Sequence, residues 1–433
     1  MTPGTQPASR HWLILSYAYN VDGRAESLTI TDKVPHLIAA GIAPIVLSSV
    51  MGQPDAGVVH RQLLPWGPAG IRFDLRHVLL RRWGRSAAYR VATMLMSLLL
   101  APLIAIERLL SGVRSQWSWA LPAAVHGMRL VRRGGVELVY STGGVFSAHL
   151  AGYWIKRFTG CKWIAEVHDP LILPGTTPRT RHERFLAKLE QRICRHADLA
   201  WWFTDGALHA AKSRHPELGE RGIVVLPGAE PPMVHAEYRR DAHCVFGHFG
   251  SLSPTRSLAP TLRALAALFG ARPELRKFVR LEIYGSNLDP DAARALDALA
   301  LGDVVIPIGR LEFDPATGLS GRARVVQRMQ QLDVLLMLHG ELSDCLEYIP
   351  SKLYDYFWAR RPVLALTHRN AQLDALVQAH DGWVAPSTDQ AAIVAAFEAA
   401  IERWQADALP DVTVPPVSVS DAVQRILEAV DRG

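Results

Sequence analysis

Short apolar runs alternate with longer amphipathic ones along most of the chain. Trp12-Leu13-Ile14-Leu15 and Ile45-Val46-Leu47 have the length of strands, and the segment between them, Leu28 to Ala40 ended by Gly41, has the period and stop signal of a helix. Leu138-Val139-Tyr140, a helix from about Ser147, a strand from Trp163 to Val167, a helix from Arg181 to His196 and a strand from Leu199 to Phe203 continue the alternation. Repeated strand-helix units predict a parallel α/β sheet.

After the apolar run Ile223 to Leu226, Pro227-Gly228 and Glu230-Pro231-Pro232 read as a linker. A second series follows, with strands at Cys244 to Phe249, Val279 to Tyr284, Val304 to Ile308, Val334 to Leu338 and Val363 to Leu366. Helices are expected near Leu258 to Phe269, Pro290 to Ala300, Ala323 to Gln331 and Ser351 to Ala359. The pattern predicts two doubly wound, Rossmann-like domains, residues 1–235 and 236–410, with a tail or helix at 411–433 packing back toward the first. Two such sheets are expected to face a central cleft, because open α/β sheets bind ligands beyond the carboxyl ends of their strands.

Length and composition agree with two cores: 433 residues, 49% apolar and 20% charged. Charge is uneven. The chain through His235 carries a net +11 and the remainder −5, which together give the overall +6. The basic residues adjoin an apolar stretch without interleaved aromatics, which argues against a nucleic-acid partner. Cys161, Cys194, Cys244 and Cys345 lie far apart, with no Cys-x-x-Cys pair and no histidine cluster at metal-ligand spacing, so a reduced cytoplasmic protein without a metal site is expected. Trp12 to Tyr19 reads as a first strand and not as a signal peptide.

One segment departs from the alternation. Six arginines between Arg72 and Arg90 precede a stretch free of charge from Val91 to Ile106, closed by Glu107 and Arg108. Its 16 residues span roughly 24 Å as a helix, short of the ~30 Å hydrocarbon core. A peripheral anchor on the anionic inner face of the cell membrane is therefore expected from an insertion at about 72–120. The alternative is a buried helix, or a helical hairpin broken at Pro102.

The most specific motif is Glu347-Tyr348-Ile349-Pro350-Ser351-Lys352-Leu353-Tyr354-Asp355-Tyr356-Phe357, followed by Arg360-Arg361-Pro362-Val363-Leu364-Ala365. Pro350 and Ser351 mark a helix start, with Glu347 in the loop ahead and Asp355 about a turn inside. Backbone N–H groups at that start, with Lys352, suit a diphosphate. Asp355 suits ribose hydroxyls and Glu347 a sugar.

These residues resemble glycosyltransferase family 4, whose members carry two acidic residues separated by seven others at this place. Glu347 and Asp355 keep the spacing, with Asp for the usual second Glu, and Pro350 to Tyr356 resembles the variant of polysaccharide-assembly members. The resemblance implies the GT-B fold and a retaining, metal-independent transfer from a nucleotide-sugar, with no cofactor. It extends donor binding to Gly250, Ser251 and Arg256 after the first strand of the second domain, and to Gly285, Gly309, Arg310, Ser351 and Leu353. Many relatives have an Arg and a Lys near the first of these strands; here Arg256 is the one basic residue.

In the first domain the resemblance places His168 and Asp169 near the donor sugar or acceptor hydroxyl. It puts Gly23, Arg24, Gly143, Gly144, Ser147 and His149 on the acceptor side. A lipid-linked glycan is the implied acceptor, given the basic, apolar insertion. Asp289-Pro290-Asp291 mimics the Asp-x-Asp metal motif, but its position before Ala292-Ala293-Arg294 reads as a helix cap. The competing functions are a GT-B nucleotide-sugar epimerase, a phosphorylase, for which no cofactor lysine is identifiable, and an inactive GT-B scaffold.

Overall fold

The computed structural model describes residues 10–21, 24–113, 115–285, 287–410 and 412–432. The chain divides into two compact units, Met1–Pro227 with Val419–Gly433, and Gly228–Ser418. The first crossing falls at Pro227 and not at 235, because Ala229 already pairs with the Ser418 segment of the second unit. The return falls at Val419 and not at 411. There the amphipathic helix Val419–Arg432 buries Val419, Val423, Ile426 and Val430 in the same core as Trp12, Val34 and Trp201.

The first unit runs β1 (Arg10–Ser16), α1 (Ala25–Thr31), α2 (Lys33–Ala39), β2 (Ile42–Ser48), β3 (Val59–Gln62), α3 (Pro68–Trp83), α4 (Ala87–Ser111) and α5 (Ala120–Arg132). It continues with β4 (Val136–Gly143), α6 (Ser147–Thr159), β5 (Lys162–Val167), α7 (Arg181–His196), β6 (Leu199–Trp202), α8 (Asp205–Arg214) and β7 (Gly222–Val224). Its strands form a parallel sheet in the order β3-β2-β1-β4-β5-β6-β7. Helices cover both faces, so the central strands are apolar throughout and Trp12 to Leu15 are fully buried. The expected single helix at 28–40 is two short ones that meet at Asp32.

The second unit runs β8 (Cys244–Gly250), α9 (Ala259–Ala271), β9 (Val279–Gly285), α10 (Pro290–Ala298), β10 (Val305–Gly309), α11 (Gly321–Gln331) and β11 (Val334–Leu338). It ends with α12 (Lys352–Trp358), β12 (Val363–Thr367), α13 (Ala371–Ala379), β13 (Trp383–Pro386) and α14 (Gln390–Gln405), before α15 (Val419–Arg432) rejoins the first unit. This sheet is also parallel, ordered β10-β9-β8-β11-β12-β13. Strand order reverses between β1 and β4 in one sheet and between β8 and β11 in the other. Those two switch points are where a doubly wound sheet opens a crevice.

The insertion folds as the hairpin α3–α4. α4 has 25 residues and runs through Pro102 without a break, so it is longer than the uncharged run within it and spans about 37 Å. Among the described residues it is the one helix long and apolar enough to cross a membrane. It is not a buried helix: Val91, Met94, Leu95, Leu98, Leu99, Leu103, Ile106, Leu109 and Leu110 are all exposed, and Ile104 alone is buried. Glu107 accepts from the backbone N–H of Ala69 (2.8 Å) and from Trp117 Nε1 (3.0 Å), pinning the end of α4 to the start of α3. Arg81 donates to the carbonyls of Val50 (2.7 Å), Met51 (3.0 Å) and Gly52, pinning the end of α3 to the loop after β2.

Candidate functional site

In the second unit, the candidate residues gather at the carboxyl edge of the sheet. Gly250 and Gly285 end β8 and β9 at positive φ, and their backbones approach so closely that a Cβ on Gly285 would stand 2.5 Å from the Gly250 carbonyl oxygen. Only glycine fits there. Lys352 reaches this point from α12: its Nζ donates to the Phe249 carbonyl at 3.0 Å and lies 3.4 Å from where a Gly250 Cβ would be. Burial, and then the charge of Arg256, lower its pKa to about 7. Arg256 stands in a tight turn closed by its N–H to Ser253 (2.9 Å), and its buried Nε has no hydrogen-bond partner among the described residues. Two basic groups thus converge with too few acceptors, an arrangement that favours an anion.

A cavity of about 480 Å³ opens beside this point, lined by Arg256, Arg263, Arg294, His339, Glu341 and Ser387 among others. Lys352 and Glu347 lie outside its lining. Glu347 follows a short 3₁₀ turn, Ser343–Leu346, and its loop is held from both sides. Asn370 Nδ2 donates to the carbonyls of Cys345 (2.8 Å) and Tyr348 (2.9 Å), and His339 Nε2 bonds the Tyr348 carbonyl at 2.8 Å.

The helix start differs from the sequence expectation. α12 has seven residues, Ser351 provides no side-chain cap, and the N–H groups of Leu353 and Tyr354 are already bonded to Pro350 and Ser351. Leu353 is fully buried. Asp355 is half-buried, whereas Arg310 is exposed and pairs with Glu312 at 3.3 Å beyond Gly309. Ser251 is exposed. Asp289 caps α10 through the Ala292 N–H (3.1 Å) and also accepts from Ser257 Oγ (2.7 Å). Among the described residues no group of three or more His, Cys, Asp or Glu side chains is placed to hold a metal ion.

In the first unit, His168 follows the end of β5. Its Nε2 is 3.0 Å from Glu166 Oε1 and 3.2 Å from Thr142 Oγ1, and its ring packs on Phe203. Glu166 is fully buried, bonded to Lys33 Nζ at 2.7 Å and to the Tyr140 hydroxyl. Burial pushes this carboxyl up, but Lys33 and then His168 outweigh it and hold the pKa at about 2. Asp169 is exposed beside Gly144: a Cβ there would lie 3.1 Å from Asp169 Oδ2 and 3.5 Å from Glu26 Oε2.

Arg24 pairs with Glu26 at 3.2 Å, while Gly23 lies outside the described residues. Gly143 ends β4. Ser147 and His149 are buried in the first turn of α6, His149 against Ser141 Oγ at 3.0 Å. Burial lowers His149 to a pKa of about 4, which keeps it neutral.

No family model matches the sequence, and no curated protein matches it. Solved structures do. Anabaena HepE in complex with UDP-glucose aligns with a TM-score of 0.54 at 14% identity, over 98% of this chain and 100% of that one. WaaG, a glycosyltransferase involved in lipopolysaccharide biosynthesis, aligns with 0.58 at 12% identity over 98% and 100%. The chain has the GT-B fold. A putative UDP-N-acetylglucosamine 2-epimerase from Listeria monocytogenes also aligns, with 0.55 at 10% identity over 98% and 96%, so the GT-B architecture alone does not separate transfer from epimerisation.

Three features of these GT-B units escaped the sequence reading. Glu26 sits beside Asp169 over Gly144, Lys33 pairs with Glu166 inside the sheet, and His339 with Asn370 clamps the Glu347 loop. Asn370 was legible as an N-cap ahead of α13. The other contacts join residues more than a hundred positions apart, or lie in loops without a local signal.

Proposed function

We propose that the chain is a retaining, metal-independent glycosyltransferase that moves a sugar, hexosyl in type, from a nucleotide-sugar to a lipid-linked glycan. The observation that carries this reading is the convergence of Lys352 and Arg256 on the glycine pair at the ends of β8 and β9. As the glycosyl bond breaks, the nucleoside diphosphate gains negative charge, and these two groups stabilise it in the role a divalent ion fills elsewhere. Glu347, fixed by its clamped loop, orients the sugar, and Asp355 accepts from ribose hydroxyls. Gly309 and Arg310 serve the base and phosphates. On the first unit His168 and Asp169 meet hydroxyl groups of the sugar or acceptor. HepE was solved with UDP-glucose, so UDP-sugars are the first donors to test.

The acceptor reading rests on the hairpin. The exposed apolar residues of α4 lie on the i, i+3, i+4, i+7 pattern, and Arg82, Arg85, Arg90 and Arg108 beside them are exposed. Because α4 is pinned through Glu107, the hairpin seats in one leaflet of the inner face of the membrane instead of crossing it alone. Each basic residue near an anionic surface adds about 1 kcal/mol. The epimerase reading has the Listeria alignment in its favour. Thermal stabilisation by UDP-, GDP- and other nucleotide-activated sugars tests donor binding; no stabilisation by any of them contradicts the proposal.

A further inference from the structure

We infer that Lys33 and Glu166 are positioning residues for His168, fixing its ring with the proton on Nε2 and keeping Nδ1 as an acceptor for a substrate hydroxyl. Glu166 is ionised and fully buried, and an ionised carboxylate only accepts hydrogen bonds. His168 Nε2, 3.0 Å from Glu166 Oε1, must therefore donate. Oε1 is shared with Lys33 Nζ, and Oε2 accepts from the Tyr140 hydroxyl. The ring itself is held against Phe203 with centroids 4.8 Å apart, and Lys33 Nζ lies 5.7 Å from the centroid of the same Phe203 ring. No hydrogen bond reaches Nδ1 from any described residue.

A buried ion pair is an expensive way to stabilise a sheet, since apolar replacements of equal volume are often as stable or more so. What it does supply is a single tautomer, set by the bond the other nitrogen makes. In the neutral ring, donation from Nε2 leaves Nδ1 with an open lone pair, which takes an O–H or N–H donor and repels a phosphate. His168 therefore meets a sugar or acceptor hydroxyl and not the diphosphate. The identity of that hydroxyl rests on the proposed glycosyl transfer; the tautomer does not.

The test uses the full chain labelled with ¹⁵N-histidine, with the His168 ring signals identified by their loss in H168Q. The expected spectrum shows Nε2 protonated and Nδ1 unprotonated at neutral pH. The triple variant K33M/Y140F/E166L removes the ion pair and its third partner together, so no charge is left unpaired, while E166Q retains an acceptor oxygen. In the triple variant the two tautomers should mix and kcat should fall roughly 10- to 100-fold, by analogy with the outer partners of metal-ligating histidines, with KM little changed. E166Q should restore part of both. A triple variant with the wild-type tautomer, or with wild-type kcat, overturns the inference. If the tautomer is locked in wild type and mixed in the triple variant, yet no donor supports transfer, positioning stands and the transferase reading falls.

Discussion

Lys352 Nζ, on the last connection before β12, donates to the Phe249 carbonyl at the end of β8 across 3.0 Å. The contact joins residues 103 apart and puts a cation at a strand end where Ser251 supplies none. It also explains why the sequence seemed one basic residue short: the second cation comes from α12.

If Lys352 holds the diphosphate as proposed, nucleotide binding should depend on pH. Its pKa near 7 should rise when a diphosphate occupies the site, so affinity for the nucleoside diphosphate should be greatest below pH 7 and fall up to about tenfold per pH unit above it. Calorimetry in buffers of different ionisation enthalpy should show proton uptake near pH 8. Lys352→Met should bind weakly with no such slope. The same shift works on stability in the opposite sense: between pH 7 and 10.5 the unfolded chain binds the extra proton, so stability rises with pH in wild type and not in Lys352→Met.

Glu347→Ala should reduce transfer by two orders of magnitude or more, on the order of removing an electrostatic partner of the transition state, while the melting temperature changes little. The loop is held by Asn370 and His339 through backbone carbonyls, which the substitution leaves in place. Wild-type turnover in the folded variant would remove Glu347 from the mechanism.

Membrane seating predicts flotation with anionic liposomes, weakened by salt and absent with neutral lipid. R82E/R85E/R90E should lose flotation and keep the wild-type melting temperature. Arg81 is a poor choice for such a test, since R81E frees three carbonyls and should destabilise by about 1–3 kcal/mol. Flotation unchanged in the triple variant would refute the electrostatic part, and no flotation of wild type would refute the membrane assignment.

Asp74 on α3 is fully buried and accepts from the Tyr17 hydroxyl. Burial raises its pKa to about 7, against opposing bonds from Tyr17 and the Val50 backbone. Between the ordinary value of 3.8 and 7 the folded state holds the extra proton, so this group's contribution to stability is lost as pH rises through 7. Asp74→Asn should therefore melt higher than wild type at pH 8 and no higher at pH 4.

Both sheets were legible because strands buried on two faces read as continuous apolar runs, and β11 and α7 begin and end where the pattern places them. The short edge strands β3 and β13 were not, since Val59-His60-Arg61-Gln62 and Trp383 to Pro386 have neither the length nor the alternation that marks a strand. In the candidate site, local motifs singled out Glu347, Lys352 and His168 as candidates. The burial of Leu353, Ser147 and His149 was not legible, because it depends on what packs across from them. Lys33 was invisible because a lysine on a helix reads as solvated, and only the fold brings Glu166 to it.

The most direct measurement is acceptor-dependent release of nucleoside diphosphate from a UDP-sugar, in the presence of a chelator and a lipid-linked acceptor extract, with the donor sugar followed by NMR. The account predicts release that requires acceptor, retains the anomeric configuration, survives the chelator and disappears in Lys352→Ala. Release or epimerisation of the sugar without acceptor, or activity that demands added divalent metal, would contradict it.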